Sequence, residues 1–274
     1  MPAISTNTAA NSAVRYLNIN SQQETSALSK LSSGSRITSA SDDAAGLAIS
    51  TRISSDVTTL QQAATNASQA TAILQTADGG ASNISDILAR MKSLASESAS
   101  GTVSDSSRGY INSEFTQLKG EIDSIASGTR YSSQSLLDGS SVFASGVSVL
   151  VGSTAADTIT ITLTSLTASS LAVTSLDVSS LSDATTAMSA LDTAIDKVSS
   201  ARAEIGAQES RFNFSADSIS TQTQNLQSAN SAIKDVDIAA EQATLSSAEV
   251  KTQAAVSAET AANQMPQYLL KLLG

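Results

Sequence analysis

The stretch Leu191-Asp-Thr-Ala-Ile-Asp-Lys-Val198 continues through Ile205, Phe212, Ile219 and Leu226 to Ile233 with an apolar residue at every seventh position. Proline is absent from it, and Gly206 is its only glycine. An α-helix turns once in 3.6 residues, so a period of seven keeps one stripe on one face. Six heptads at about 1.5 Å per residue predict a helix of roughly 60 Å. A helix that long buries its stripe only against other helices. The second seam position is mixed: Ile195, Arg202, Glu209, Ala216, Thr223 and Asn230. That mixture fits packing on partners within the same chain better than a two-stranded zipper, and points to a scaffold or assembly protein.

Shorter helical patterns that could supply such partners lie upstream. Ile53, Leu60, Ala67 and Leu74 form a second heptad series, predicting a helix from near Asp43 to Ala77. Gly79-Gly80 is expected to break it. Ile84, Leu88, Met91 and Leu94 predict a helix over 82–98, and Ile111, Phe115, Leu118, Ile122 and Ile125 another beyond Gly101. Val147–Val151 and the alternating Thr158-Ile-Thr-Ile-Thr-Leu-Thr164, joined by Gly152–Asp157, predict a β-hairpin. A Ser/Thr-rich stretch then leads into the long helix. After Ile233 the pattern continues in smaller residues, including Ala240, Ala243, Ala254, Ala258 and Ala261, and Pro266 is expected to break or kink the last helix.

Composition narrows the function. The 274 residues carry a net charge of −10, against nucleic acid, which needs a basic footprint. No run approaches the ~20 apolar residues of a membrane span, so no membrane insertion is expected. The chain has no cysteine and no histidine, which removes thiol chemistry, disulfides, the commonest general base and the commonest transition-metal ligand. Phosphate-loop and nucleophile-elbow motifs are absent. The expectation is a protein that is not an enzyme, with no catalytic residues, no cofactor and no metal. Asp42-Asp43 reads as a helix start, where carboxylates cap free amides. Asp192/Asp196 and Asp235/Asp237 read as solvated faces.

Only 3% of the residues are aromatic, and much of the apolar fraction is alanine. In residues 1–45, Arg15, Lys30 and Arg36 balance Glu24, Asp42 and Asp43, and the last 39 residues are also close to neutral, so the middle is the acidic part. Both ends are rich in Ser, Thr and Asn, which compete with helix hydrogen bonds. They are expected to order on association. The N-terminal MPAISTNTAANSAV lacks the basic and apolar regions of a standard secretory signal.

Two segments resemble the signatures of one family. Leu31-Ser-Ser-Gly-Ser-Arg-Ile-Thr-Ser-Ala-Ser-Asp-Asp-Ala-Ala-Gly-Leu-Ala-Ile49 is similar to the N-terminal signature of bacterial flagellins, and Ala262-Asn-Gln-Met-Pro-Gln-Tyr-Leu-Leu-Lys-Leu-Leu273 to their C-terminal one. Arg211-Phe-Asn213 and Asn225–Asp237 also fit. The resemblance covers roughly the first 140 and the last 90 residues. It implies a mainly α protein: a long antiparallel helical coiled-coil rod, the D0/D1 core of the family, with a small β-hairpin region.

The domains implied are an N-terminal inner helix and connecting segment (1–45), the N-terminal part of the rod (46–140), and a hairpin with a short insert in place of outer domains (141–182). The long rod helix (183–235) and a C-terminal inner helix (236–274) follow. The implied function is a structural subunit that self-assembles into a helical filament for motility. The runners-up are a flagellin-related adhesin, for which Phe143 would be the one aromatic between Tyr131 and Phe212, and a hook–filament junction protein.

The resemblance also implies partners and residues. The partners are copies of the same chain in a homo-polymer, the type III flagellar export apparatus, a flagellin chaperone, and cap and hook-associated proteins. The location implied is the extracellular flagellum. The N-terminal assembly residues are Leu31, Gly34, Arg36, Ile37, Asp42, Asp43 and Gly46. The C-terminal ones are Asn263, Gln264, Pro266, Gln267, Leu270, Leu272 and Leu273. Arg90, Leu94 and Glu97 match a patch read by an innate immune receptor in the family, although Ser93 stands where recognised relatives carry Glu. The O-linked glycans seen in the family would fall on the Ser/Thr stretch at 153–182.

Overall fold

The computed structural model describes residues 6–273, with side chains through Met265. In chain order the elements are α1 (Thr8–Ser33), α2 (Ala44–Ser98), α3 (Asp105–Gly128), β1 (Arg130–Tyr131) and β2 (Gln134–Ser135). There follow α4 (Val142–Ser145), β3 (Val147–Leu150), β4 (Thr158–Ile161), α5 (Leu181–Lys234) and α6 (Ile238–Leu273). The fold is mainly α with two antiparallel strand pairs. The chain forms two compact units: a middle from Asp56 to Gln224, and one made of the ends, up to Ser55 and from Asn225.

In the middle unit the predicted stripes meet as a core. Leu60, Leu74, Ile84, Leu88 and Met91 of α2, Phe115 and Ile122 of α3, and Leu191, Val198 and Phe212 of α5 are fully buried. Ile205 and Ile219 are nearly so. Around this core, ion pairs join the helices: Arg90 to Glu114 at 2.7 Å, Arg202 to Asp78 at 2.8 Å, and Lys92 to Asp192. Arg108, itself buried, closes the end of α2 by donating to the carbonyls of Ser98 and Ser100 and to the Asp105 carboxylate. It thereby satisfies carbonyls that the helix end leaves open.

Three expectations are corrected. Gly79-Gly80 does not break α2, a continuous helix of 55 residues. Burial of Ile73, Leu74, Ala77, Ala81 and Ile84 on both sides outweighs the ~1 kcal/mol helix penalty of a glycine. Gly80 is there for close packing: a Cβ on it would lie 2.4 Å from Thr129 Oγ1 and 2.9 Å from Leu137 Cδ1. Pro266 does not end α6, which runs on to Leu273.

The second hairpin strand is shorter than its alternation predicts. β3 and β4 pair from Val147↔Ile161 to Leu150↔Thr158. Beyond Ile161 the backbone finds other partners. Thr162 exchanges hydrogen bonds with the Gln208 side chain, Leu163 N–H donates to Phe143 O, and Leu166 N–H to Leu137 O. The Ser/Thr-rich insert is also not wholly superficial, because Leu171, Val173 and Val178 are buried in it.

Candidate assembly site

The end unit is built from α1 and α6, which pack along one another. Pairings of Asn7 with Ala262, Glu24 with Thr252 and Ser35 with Asp235 show that they run antiparallel. Their seam is small: Ala13, Ala27, Leu245, Ala248, Ala255 and Ala262 are buried. Large apolar side chains on the same helices stay in solvent. Tyr16 is 63% exposed, Leu28 58% and Val250 70%. Val14, Ile19, Ile238, Val256 and Met265 are exposed as well. A helix pair that buries mostly alanines and shows water its larger apolar residues has hydrophobic surface where another molecule can cover it.

The N-terminal signature sits at the junction of α1, α2 and the end of α5, all within this unit. Gly34 ends α1 in the left-handed region at φ 69°, which a glycine adopts at no steric cost. Leu31 is half-buried one turn earlier. Ser35 and Arg36 then cap the C-terminus of α5. Arg36 N–H and Ser35 Oγ donate to Lys234 O at 2.6 and 3.2 Å, and the Arg36 guanidinium donates to Ile233 O and Ala232 O. In return Val236 N–H donates to Gly34 O at 3.1 Å. A cation at this end of α5 also complements the helix dipole.

Ile37 is buried against Gly46, where a Cβ would lie 2.8 Å from Ile37 Cδ1. Asp42 and Asp43 divide the capping work. Asp42 Oδ2 accepts from Thr38 N–H, Thr38 Oγ1 and Ser39 N–H at 2.9–3.0 Å. The Ser39 amide first, and then Thr38, hold its carboxyl below the usual aspartate value. Asp43 Oδ1 accepts from Gly46 N–H at 2.9 Å, at the start of α2.

The other candidates are dispersed. Of the long stripe, Leu226 and Ile233 fall in the end unit and are only half-buried. Asn263 and Gln264 are exposed on α6. Pro266, Gln267, Leu270, Leu272 and Leu273 lie in the last turns of α6, and their side chains fall outside the described residues. In the middle unit Arg90 and Glu97 are exposed but Leu94 is 2% exposed, so the three do not share one surface. Phe143 is buried, while Tyr110 and Phe214 are the exposed aromatics of the middle unit. Asp237 caps α6 through Ala239 and Ala240 N–H.

Sequence reasoning missed Asn7. Its Oδ1 accepts from Ala10 N–H at 3.1 Å as the N-cap of α1, and its Nδ2 donates to Ala262 O at 2.7 Å. The capping half was open to recognition, since Asn is a preferred N-cap. The pairing across 255 positions was not. The polar seam also holds a surprise at Glu209, whose Oε1 is buried without a partner. Burial first, then the nearby Asp78 charge, raises that carboxyl above the usual glutamate value.

Residues 4–142 match the bacterial flagellin N-terminal helical region, and residues 188–273 the bacterial flagellin C-terminal helical region. The chain is 35% identical to a flagellin of Halalkalibacterium halodurans over 98% of its own length and 99% of the relative's. It is 35% identical to a flagellin of Listeria monocytogenes, covering 94% of each. A flagellar filament 30.7 kDa core protein of Treponema maltophilum is 33% identical, covering 94% of this chain and 95% of that one. The crystal structure of Bacillus cereus flagellin superposes with a TM-score of 0.52 at 30% identity, covering 61% of this chain and 94% of that one.

Proposed function

We propose, for a chain that belongs to the bacterial flagellin family and is a structural subunit of the flagellar filament, that the paired ends α1 and α6 are the polymerising elements. One observation carries this. The end unit leaves Tyr16, Leu28, Val250 and Val256 in solvent around a seam made largely of alanine. Burying such side chains contributes about 1.5–3 kcal/mol each. Repeated over many contacts in a helical polymer, that is enough to order helices poor in large core residues.

In this reading Leu31, Gly34, Arg36, Ile37, Asp42, Asp43 and Gly46 form a brace. They fix the chain's path from α1 into α2 by binding the end of α5, so that α1 and α6 are presented in one geometry. The C-terminal signature from Asn263 to Leu273 extends the α6 surface. The domain plan follows: the end helices line the inside of the filament and the acidic middle faces outward. The chain acts as scaffold and not as enzyme. It leaves the cell through the flagellar export apparatus, is held by a chaperone before assembly, and meets cap and hook-associated proteins at the filament ends.

The test uses full-length subunits carrying Leu28→Asp or Val250→Asp. Both side chains are exposed, so melting of the soluble subunit should be unchanged while seeded filament growth, seen by electron microscopy and sedimentation, is lost. Normal filaments from both variants would place the assembly surface elsewhere.

A further inference from the structure

Pro266 is the proline inside α6, and it lacks the N–H that would reach the carbonyl four residues back, that of Ala262. Ala262 is buried, at 5% exposed, so an unsatisfied carbonyl there would be costly. That carbonyl accepts the Asn7 Nδ2–H at 2.7 Å. The same Asn7 side chain caps α1 through its other atom, accepting from Ala10 N–H. One amide therefore completes two helices: it supplies the acceptor that the start of α1 needs and the donor that α6 has lost.

We propose that Asn7, Ala262 and Pro266 form a register latch, in which the proline exposes one carbonyl on α6 and Asn7 reads its position. The α1–α6 seam is made mostly of alanines, whose near-identical surfaces distinguish poorly between one alignment and a neighbouring one. A single unmatched carbonyl marks one alignment. Any slip of α1 along α6 leaves that carbonyl bare and the Asn7 amide unpaired. The latch rests on the assembly reading above, because correct pairing of the ends is what a growing filament would select.

The experiment is a double-mutant cycle on the full chain, read as the critical concentration for seeded polymerisation. Asn7→Ser keeps an N-cap oxygen but is too short to offer the second donor. It should raise the critical concentration roughly fivefold, the size expected for one lost hydrogen bond. Pro266→Ala restores an N–H to Ala262 O within α6. In that background Asn7→Ser should cost less than about twofold, the coupling that identifies partners acting through one carbonyl. An equal cost in both backgrounds, or no cost in either, would overturn the latch while the filament reading stands. Wild-type chain that forms no filaments would overturn the assembly reading and the latch with it.

Discussion

Between Asp56 and Gln224, α2, α3 and α5 bury Phe115, Phe212, Leu88 and Met91 completely. In the end unit, α1 and α6 bury alanines and leave Tyr16, Leu28 and Val250 in water. Both regions are helical and both follow periodic patterns, yet the rings and the longest buried apolar side chains sit in the middle, where each buries more area than an alanine can. The ends are helices of the kind that need a further surface. The middle leaves Tyr110 and Phe214 in solvent too, so exposure is shared and what separates the regions is the size of the side chains each one buries.

The largest effect should come from the middle. Phe115→Ala removes a fully buried ring and should cost about 3–5 kcal/mol, read as a lowered melting temperature of the soluble subunit. Leu28→Ala is the counterpart at the ends: no change in that melting temperature, and about a tenfold higher critical concentration for filament growth. If Leu28→Ala lowers subunit melting as Phe115→Ala does, the division between the regions fails.

Two adjacent glycines in α2 differ in the same way on a finer scale. Gly80→Ala drives a methyl against Thr129 and Leu137 and should destabilise the middle by about 1–3 kcal/mol. Gly79→Ala meets nothing within 4 Å and should stabilise α2 by about 0.5–1 kcal/mol. Thermal melts of the two variants moving in opposite directions would confirm that α2 is one helix here. Matching shifts would argue for a break.

The smallest effects concern pH. Asp42 in the end unit, and Asp138, Asp157 and Asp177 in the middle, have carboxyls held below the usual aspartate value by hydrogen bonds to nearby Ser or Thr. Each contributes stability above the unfolded value near 3.8, lost as pH falls through the lower folded value. Glu209 has the opposite sign. Its raised folded value favours the protonated form, so it opposes folding when ionised at neutral pH and ceases to do so on acidification. Glu209→Gln should therefore raise the subunit melting temperature slightly at pH 7 and make no difference at pH 3. A drop at pH 7 would show that the ionised carboxylate is stabilising.

Period and capping chemistry carried most of the fold into view. The stripe from Leu191 to Ile233 lies within α5, and Asp43 lies at the start of α2, because both depend on residues close by in the chain. What escaped depends on distant neighbours. Gly79-Gly80 stays helical because core residues on both sides of it are buried. Ser132 and Ser133 form the β1–β2 turn with φ of 48° and 68°, a conformation that glycine usually signals. Arg36 is recognisable as a signature residue, but its grip on the carbonyls of α5 joins positions almost two hundred residues apart.

A stripe that repeats every seven residues looks the same to its neighbour after sliding about 10 Å. The bidentate contact of Arg202 with Asp78, at 2.8 and 3.3 Å, does not. It exists at one setting of α5 against α2, and every displaced setting leaves a guanidinium without its carboxylate. With Lys92 and Asp192, which also join α2 to α5, the pair works as an index mark on the ruler. Exchanges among leucine, isoleucine and valine along the stripe leave such marks untouched, because the charged positions lie beside the stripe and not in it.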